Sequence, residues 1–183
     1  SGAAHTTAHT IRPALEFVKT REGVKIVSSV FLMLMPDRVL VYGDCAVNPD
    51  PNVEQLADIA LASAETAAQF GVEPRVAMLS FSNFGSSRHP FTDKVRDAVQ
   101  IVKARDPKLE VAGEMQADTA VVPDILLKNY PFSMLQQQAN VLIFPDLNSA
   151  NIAYKLLSRV GGAEATGPIL LGMARPVHVL QRG

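Results

Sequence analysis

Arg75-Val76-Ala77-Met78-Leu79-Ser80 is the stretch that decides the fold, because this short apolar run ends at a polar loop that contains a glycine. Such a run is typical of a strand that is buried on both faces. Beyond the loop, Val95, Val99 and Val102 recur at helical spacing, so we predict a helix over residues 92–104. A buried strand joined by a loop to an amphipathic helix is the repeating unit of an α/β sheet.

The same alternation of strands and helices runs through the rest of the chain. Pro36-Asp37 separates two β-branched runs near the start and predicts an antiparallel hairpin. Strands are further predicted over residues 24–30, 38–42, 109–112, 140–144 and 169–171, and helices over residues 10–20, 53–70, 119–128 (interrupted by Pro123) and 148–160. The predicted fold class is α/β, with a mixed, mostly parallel sheet layered between helices in three αβα layers.

Composition restricts the partners of the chain. The 183 residues carry a formal net charge of −1, so no excess of Lys and Arg is present to neutralise nucleic-acid phosphates. The longest apolar run near the start, residues 30–35, is too short to span a bilayer, and no export leader is recognised. The lone cysteine, Cys45, favours a reducing compartment. We therefore expect a cytoplasmic protein with neither a nucleic-acid nor a membrane partner.

Both ends of the sequence are abrupt. The chain starts with Ser1-Gly2-Ala3-Ala4 and stops at Leu180-Gln181-Arg182-Gly183, without a polar, low-complexity tail at either end. We therefore expect a fragment in which the binding site is incomplete.

The loops that follow the predicted strands are the candidate sites, because ligands in open α/β sheets bind beyond the carboxyl ends of the strands. In the loop over residues 80–90, small hydroxyl residues surround Gly85, so that backbone N–H groups can approach an anion. An ordinary solvated loop explains the same pattern equally well. The polar loop over residues 114–118 either meets a ligand or caps the next helix, and capping is favoured for Asp118.

Two later loops carry further candidates. In residues 144–151, Asp146 or Asn148 can cap the next helix, whereas Asn151 and Lys155 exceed what a cap needs and share one helix face. In the terminal run, Arg182 is suited to bind a phosphate with two parallel hydrogen bonds, or is simply exposed at the chain end.

Other chemistries have little support. The four histidines are scattered, and no acidic residue completes a metal motif with them, so no metal site is predicted. Cys45 lacks an evident histidine partner and is interpreted as a small buried thiol. The absence of a G-x-S-x-G turn removes support for a serine hydrolase.

Taken together, the loops and strands resemble a known family. The chain closely resembles the phosphate acetyltransferase/butyryltransferase family in five ordered strings, which are His5-Thr6-Thr7-Ala8, Val27-Ser28-Ser29-Val30-Phe31, Asp44-Cys45-Ala46-Val47-Asn48-Pro49, Pro74-Arg75-Val76-Ala77-Met78-Leu79-Ser80-Phe81-Ser82 and Ala139-Asn140-Val141-Leu142-Ile143-Phe144-Pro145-Asp146-Leu147. The resemblance covers essentially the whole chain.

This resemblance implies a two-lobed α/β fold with a cleft for coenzyme A (CoA) and an acyl phosphate, in a homodimer or higher homo-oligomer. It places residues 1–23 and 173–183 in the first lobe and residues 24–172 in the second. Arg12, the serine-rich loop over residues 82–87 and Arg182 match family positions around the cleft. The predicted contacts to acyl-CoA or phosphate are Arg12, Ser82, Gly85, Ser86, Ser87, Asn151, Lys155 and Arg182, and no catalytic residue is assigned.

The last motif departs from the family pattern. The family reads Pro-Val-Asn-Asp-Leu-Ser-Arg-Gly, whereas here Val179 replaces the carboxylate and Gln181 the hydroxyl. The altered motif is similar to the C-terminal domain of large bacterial NADP-dependent malic enzymes, in which a transacetylase-like domain senses acetyl-CoA. The leading expectation is therefore a regulatory, oligomerising acetyl-CoA-binding domain without transacetylase activity. Its parent protein would be an oxidoreductase that uses NADP and a divalent metal, whereas the chain itself would hold no cofactor besides acetyl-CoA or CoA as ligand.

Two alternatives stay open. One is an active phosphate acetyltransferase, which transfers acetyl between acetyl phosphate and CoA. The other is a domain that only forms oligomers and leaves the cleft empty, which the apolar helix surfaces fit equally well.

Overall fold

A six-stranded sheet is the centre of the computed structural model, which describes residue 13 and residues 16–175. Its strands are β1 (Ser28–Met35), β2 (Arg38–Gly43), β3 (Arg75–Leu79), β4 (Glu110–Met115), β5 (Val141–Ile143) and β6 (Glu164–Leu171), in the spatial order β4-β3-β5-β2-β1-β6. The neighbours β4, β3, β5 and β2 are parallel to one another, whereas β1 is antiparallel to both β2 and β6. The prediction of a mixed, mostly parallel sheet is confirmed.

Helices cover both faces of this sheet. They are α1 (Val53–Gln69), α2 (Pro90–Arg105), α3 (Ala117–Val121), α4 (Pro123–Asn129) and α5 (Leu147–Arg159). One core packs α1 and α2 against one face of the sheet, and a second core packs α3, α4 and α5 against the other. The inner strands β2, β3 and β5 are mostly buried and largely apolar, because helices cover both faces of the sheet there. The three predicted αβα layers are therefore confirmed.

The starts of the long helices follow from local capping. At α1, the Asn52 side chain accepts a hydrogen bond from the backbone N–H of Gln55, whose own side chain accepts one from the Asn52 backbone N–H. At α2, His89 is the N-cap and Pro90 occupies the first turn, so this helix begins two residues before the predicted start. At α5, Asp146 rather than Asn148 is the cap, because the Asp146 side chain accepts from the backbone N–H of Ser149.

Several predicted elements have wrong boundaries, and three of them differ most. The first strand covers Ser28–Met35 instead of residues 24–30, since β1 is paired on both sides and takes up the whole apolar run. The last strand is longer than predicted and contains Pro168, which an edge strand tolerates. The helix predicted over residues 119–128 is two helices that meet at extended Val122, because a residue before proline disfavours the helical conformation.

The chain segments that precede β1 and follow β6 are hydrogen-bonded to each other. Thr20 and Met173 form an isolated antiparallel bridge, and the backbone N–H of Arg21 donates to the carbonyl oxygen of Gly172 at 2.9 Å. The helix predicted over residues 10–20 lies largely outside the described residues. No helix in the described part of the chain is both long and apolar enough to cross a membrane.

Candidate functional site

A topological switch point lies between β3 and β5. After β3 the chain enters α2 on one face of the sheet, and after β5 it enters α5 on the other face. Because the two connections diverge from neighbouring parallel strands, they leave a crevice at the carboxyl ends of those strands. Ligands of open α/β folds bind in this place.

A cleft of about 750 Å³ occupies this crevice. The residues that line it follow four different strands or begin the next helix, and they are Pro49, Asp50, Leu79, Ser80, Phe81, Phe91, Lys94, Ala117, Phe144, Pro145, Asp146, Asn148 and Ser149. Its size and its mixture of an apolar wall with a few polar groups are those of a small-molecule site. The cleft is the candidate functional site.

Exposed aromatic rings form one wall of the cleft. Phe81 is 54% exposed and Phe91 is 65% exposed, so both rings face solvent on a surface where large apolar groups are unfavourable. His89 lies between them, with ring centroids 6.0 Å from Phe81 and 4.7 Å from Phe91. These rings provide an apolar surface on which a planar or alkyl part of a ligand can pack.

Three features of the cleft favour the binding of an anion. Residues at the N-terminal ends of α2 and α5 line the cleft, and helix N-termini carry partial positive charge. The third feature is Lys94, whose Nζ donates to Asp50 Oδ1 at 2.8 Å and to the Pro145 carbonyl oxygen at 3.0 Å. Among the described residues that line the cleft, Lys94 is the only cation. The cleft is thus equipped for a ligand that is both apolar and anionic.

The serine-rich loop lies beside the cleft and is fixed by a buried carboxylate. Glu114 Oε1 accepts from the Ser82 hydroxyl at 2.9 Å and from the backbone N–H of Gly85 at 2.7 Å. The Arg96 guanidinium binds both oxygens of the same carboxylate, each at 3.1 Å. Phe84 also donates its backbone N–H to the Glu114 carbonyl oxygen at 2.8 Å. The loop is therefore held to the end of β4 rather than free in solvent.

Glu114 is fully buried and charged. Burial raises the pKa of its carboxyl, but hydrogen bonds from Arg96, the Gly85 N–H and the Ser82 hydroxyl more than offset this, and the pKa lies below its ordinary value. The neighbouring carboxylate raises the pKa of Arg96 in turn. Glu114 is therefore an ionised structural acceptor for the serine-rich loop.

The predicted site residues of the serine-rich loop make hydrogen bonds to Glu114 or within the loop itself. Ser82 is buried and bonded to Glu114, and Ser87 donates its backbone N–H to the Ser82 hydroxyl at 3.0 Å. The exposed Ser86 accepts the Asn83 backbone N–H at 2.9 Å, whereas Gly85 has a φ of +87° and open space beside it. None of these four residues lines the cleft, although Ser80 and Phe81 from the start of the same loop do.

The remaining residues that were predicted to bind the ligand do not line the cleft or lie outside the described residues. Asn151 donates to the Cys45 carbonyl oxygen at 3.4 Å, and exposed Lys155 lies over the Tyr154 ring, 5.1 Å from its centroid. Neither lines the cleft. Arg12 and Arg182 lie outside the described residues.

The residues that sequence reasoning missed are the polar and aromatic side chains of the cleft itself. Lys94 and Phe91 lie in the first turns of α2, where a sequence pattern does not distinguish a solvated face from a site. Asp50 precedes α1 in a proline-rich loop that carried no motif. The usable signal was their position, because each lies just after a strand end or at the start of the following helix.

Metal and thiol chemistry have no support at this site. No group of three or more His, Cys, Asp or Glu side chains that could hold a metal is present in residues 16–175. Burial, with a contribution from the nearby charge of Asp44, raises the pKa of the Cys45 thiol, which therefore stays protonated. Cys45 is a buried core residue, as interpreted from the sequence.

Comparisons with known proteins agree on one family. The family profile described as phosphate acetyl/butaryl transferase matches residues 1–183. A protein named phosphate acetyltransferase from Nitratidesulfovibrio vulgaris is 54% identical over all 183 residues, and one of the same name from Bacillus subtilis is 51% identical. The chain covers 26% of the first protein and 57% of the second. A solved phosphotransacetylase from Streptococcus pyogenes matches 100% of this chain and 56% of its own, with a TM-score of 0.93 and 47% identity.

These relatives overturn the leading functional expectation. The interpretation as a regulatory, acetyl-CoA-sensing domain of an NADP-dependent malic enzyme is wrong, since proteins that match the whole chain at more than half of its positions carry the name of a transferase, not of an oxidoreductase. That interpretation gave decisive weight to Val179 and Gln181. Two substitutions in one motif weigh less than similarity spread over 183 residues.

Proposed function

We infer that this chain, which belongs to the phosphate acetyl/butaryl transferase family, is part of an enzyme that transfers an acetyl group between acetyl phosphate and CoA. The observation that carries the proposal is the 54% and 51% identity, over the whole chain, with proteins named phosphate acetyltransferase. In this reaction the CoA sulfur attacks the carbonyl carbon of acetyl phosphate and forms a C–S bond. The bond from that carbon to the phosphate oxygen breaks, and the thiol proton ends on the departing phosphate.

The cleft at the switch point supports this proposal by its chemistry. CoA combines an adenine ring and an alkyl arm with several phosphates, so its site needs an apolar wall next to positive potential. The Phe81 and Phe91 rings supply the wall, and Lys94 with two helix N-termini supplies the potential. Nothing in the reaction requires NADP or a metal.

Several expectations from the family resemblance remain proposals. We propose that Arg12, the serine-rich loop, Asn151, Lys155 and Arg182 complete the site from outside the cleft residues named above, and that residues 1–23 and 173–183 belong to a first lobe. We further propose a cytoplasmic homodimer or higher homo-oligomer. Ile152 and Leu156 on α5 and Val160 at its C-cap are exposed apolar residues spaced four apart, and they support an association surface.

The direct test of the proposed function is turnover. The complete gene product is expected to form acetyl-CoA from acetyl phosphate and CoA, and to release CoA and acetyl phosphate in the reverse direction when inorganic phosphate is supplied. Acetyl-CoA formation is followed by its thioester absorbance. A rate equal to that of the buffer blank, from protein that is folded by circular dichroism, would contradict the proposal.

Replacing Phe81 by alanine is expected to weaken CoA binding. Burial of a large apolar side chain contributes about 1.5–3 kcal/mol, so the KM for CoA should rise roughly tenfold to a hundredfold. Phe70→Ala is the matched control, because Phe70 is 55% exposed, close to the 54% of Phe81, but does not line the cleft. Steady-state kinetics at saturating acetyl phosphate compare the two variants. Equal KM values for CoA in Phe81→Ala and Phe70→Ala would contradict a contact between CoA and the Phe81 ring.

A further inference from the structure

The ion pair in the cleft is unequal in its two halves. The Lys94 side chain is only 18% exposed, whereas its partner Asp50 is 84% exposed. The ammonium of Lys94 is also held by the Pro145 carbonyl oxygen, which belongs to the loop after β5. Asp50 can therefore swing into solvent at little cost, while Lys94 keeps its place.

The charges of the cleft make this asymmetry consequential. Two carboxylates, Asp50 and Asp146, line the cleft with one cation. Asp146 is engaged as the cap of α5, where it accepts the Ser149 N–H at 2.9 Å. The side chain of Asp50 caps no helix; it accepts from Lys94 and is 84% exposed. An anionic ligand that enters the cleft therefore meets the Asp50 carboxylate as a competitor for Lys94.

The competitor is weak compared with a phosphate group. An ion pair with one well-exposed partner is stabilised only a little, because water screens the Asp50 carboxylate and the pairing costs side-chain entropy. A phosphate monoester carries about 1.5–2 negative charges at neutral pH and several acceptor oxygens. It also approaches the N-termini of α2 and α5, which line the same cleft.

We propose that Lys94 is a phosphate-recognition residue of the cleft and that Asp50 is a resident carboxylate which the phosphate displaces. The proposal rests on the proposed function for the identity of the ligands, which are the phosphate of the acyl donor or a phosphate of CoA. Asp50 then sets the affinity of the site: it covers the ammonium in the unliganded cleft and leaves when a stronger anion arrives.

The test uses two substitutions with opposite expected effects in the complete gene product. Inorganic phosphate is titrated by calorimetry into the wild type, Lys94→Met and Asp50→Asn. Lys94→Met is expected to weaken phosphate binding roughly tenfold or more, because a charge-assisted hydrogen bond is lost. Asp50→Asn is expected to tighten it roughly two- to fivefold, because the competing charge is removed. Lys103→Met, on the same helix but away from the cleft, is the matched control and should change nothing.

Kinetic arms identify which phosphate Lys94 contacts. A rise in the KM for acetyl phosphate in Lys94→Met assigns the acyl donor, and a rise in the KM for CoA assigns a CoA phosphate. Damage to the fold would not make phosphate bind more tightly. The Asp50→Asn variant therefore tests the proposal even if Lys94→Met is unstable. Unchanged or weaker phosphate binding in Asp50→Asn would overturn the proposal while leaving turnover, and with it the proposed function, intact. Calorimetry equally reports on Lys94 if turnover is absent.

Discussion

Replacing Arg96 by methionine is expected to lower the free energy of unfolding at neutral pH by about 3 kcal/mol, the lower end of the cost of breaking a buried ion pair. The loss is large because the Glu114 carboxylate is fully buried and Arg96 binds both of its oxygens. Methionine keeps much of the packing volume but leaves a buried charge without its cationic partner, held by neutral donors such as Ser82 and the Gly85 N–H. Urea denaturation followed by circular dichroism measures the change.

Arg105→Met is the matched control for this prediction. Arg105 lies on the same helix α2 and has a side-chain exposure of 33%, against 34% for Arg96. It binds two carboxylates, those of Glu54 and Asp58, just as Arg96 binds those of Glu114 and Asp93. Glu54 is well exposed and Asp58 is partly exposed, so this cluster is screened by water and its loss should cost at most about 1 kcal/mol. The double variant Arg96→Met with Glu114→Gln should recover part of the loss, because the buried charge is also gone. Equal costs for the two arginines would contradict the ionic role of Glu114.

The pH dependence gives this prediction a second readout. In the wild type, the pKa of folded Glu114 lies below its unfolded value, so its contribution to stability is present above the unfolded pKa and is lost as the pH falls through the folded pKa. In Arg96→Met, burial still raises the pKa of Glu114 but the main interaction that lowers it is gone. The pKa of folded Glu114 is therefore expected to lie above its unfolded value. The cost of the substitution should therefore shrink as the pH falls from about 7 to about 4. A cost that is independent of pH would show that Glu114 is not the group left unpaired.

The fold was predictable because its signals are local and repeated. The run over residues 75–80 and the valines of the following helix each require only periodicity to interpret, and a chain that repeats this pattern has few packing solutions. Errors occurred where tertiary contacts outweighed local preference. Glu114 was interpreted as a loop residue because it is charged, yet it lies inside β4, where Arg96 compensates for its burial.

The candidate site was predictable to the level of loops but not of side chains. Three loops chosen from the sequence contribute to the cleft through Ser80, Ala117 and Phe144. Ser82 and Gly85, which belong to the anion-binding pattern, are instead held by Glu114 beside the cleft. The pairing of Lys94 with Asp50 joins residues 44 positions apart, so no local pattern contains it.

Replacing Asp44 by alanine is expected to cost on the order of 3 kcal/mol in the free energy of unfolding, because several buried or half-buried donors lose their acceptor together. Asp44 is 4% exposed. Its Oδ1 accepts from the Ser29 hydroxyl and from the backbone N–H groups of Ala46 and Val47, the latter two at 3.1 and 3.3 Å. Its Oδ2 accepts from the Asn48 backbone N–H at 3.0 Å and from the Asn48 side chain. Within the described residues this carboxylate has no ion-pair partner, so hydrogen bonds alone compensate for its burial.

The loss should extend to the cleft, because the loop that Asp44 orders leads directly into it. Asn48 also donates to the Val27 carbonyl oxygen at 2.9 Å, and the Pro49 carbonyl oxygen accepts the Leu147 N–H at 3.0 Å at the start of α5. Pro49 and Asp50 line the cleft, so a loosened loop moves its wall and the resident carboxylate together. This effect is best measured in Asp44→Asn, which leaves no void. Its amide NH₂ group would face N–H donors that now bind the carboxylate, so we expect the KM for CoA or acetyl phosphate to rise.

Asp37→Ala is the matched control for the stability measurement. Asp37 is an aspartate in the hairpin turn whose side chain is 63% exposed and whose partner is its neighbour Arg38, so its loss should leave the free energy of unfolding almost unchanged. Urea denaturation of both variants compares the same Asp→Ala substitution at a buried and at an exposed position. If Asp44→Ala costs no more than Asp37→Ala, the loop keeps its shape through its backbone alone. The walls of the cleft would then be independent of the carboxylate beneath them.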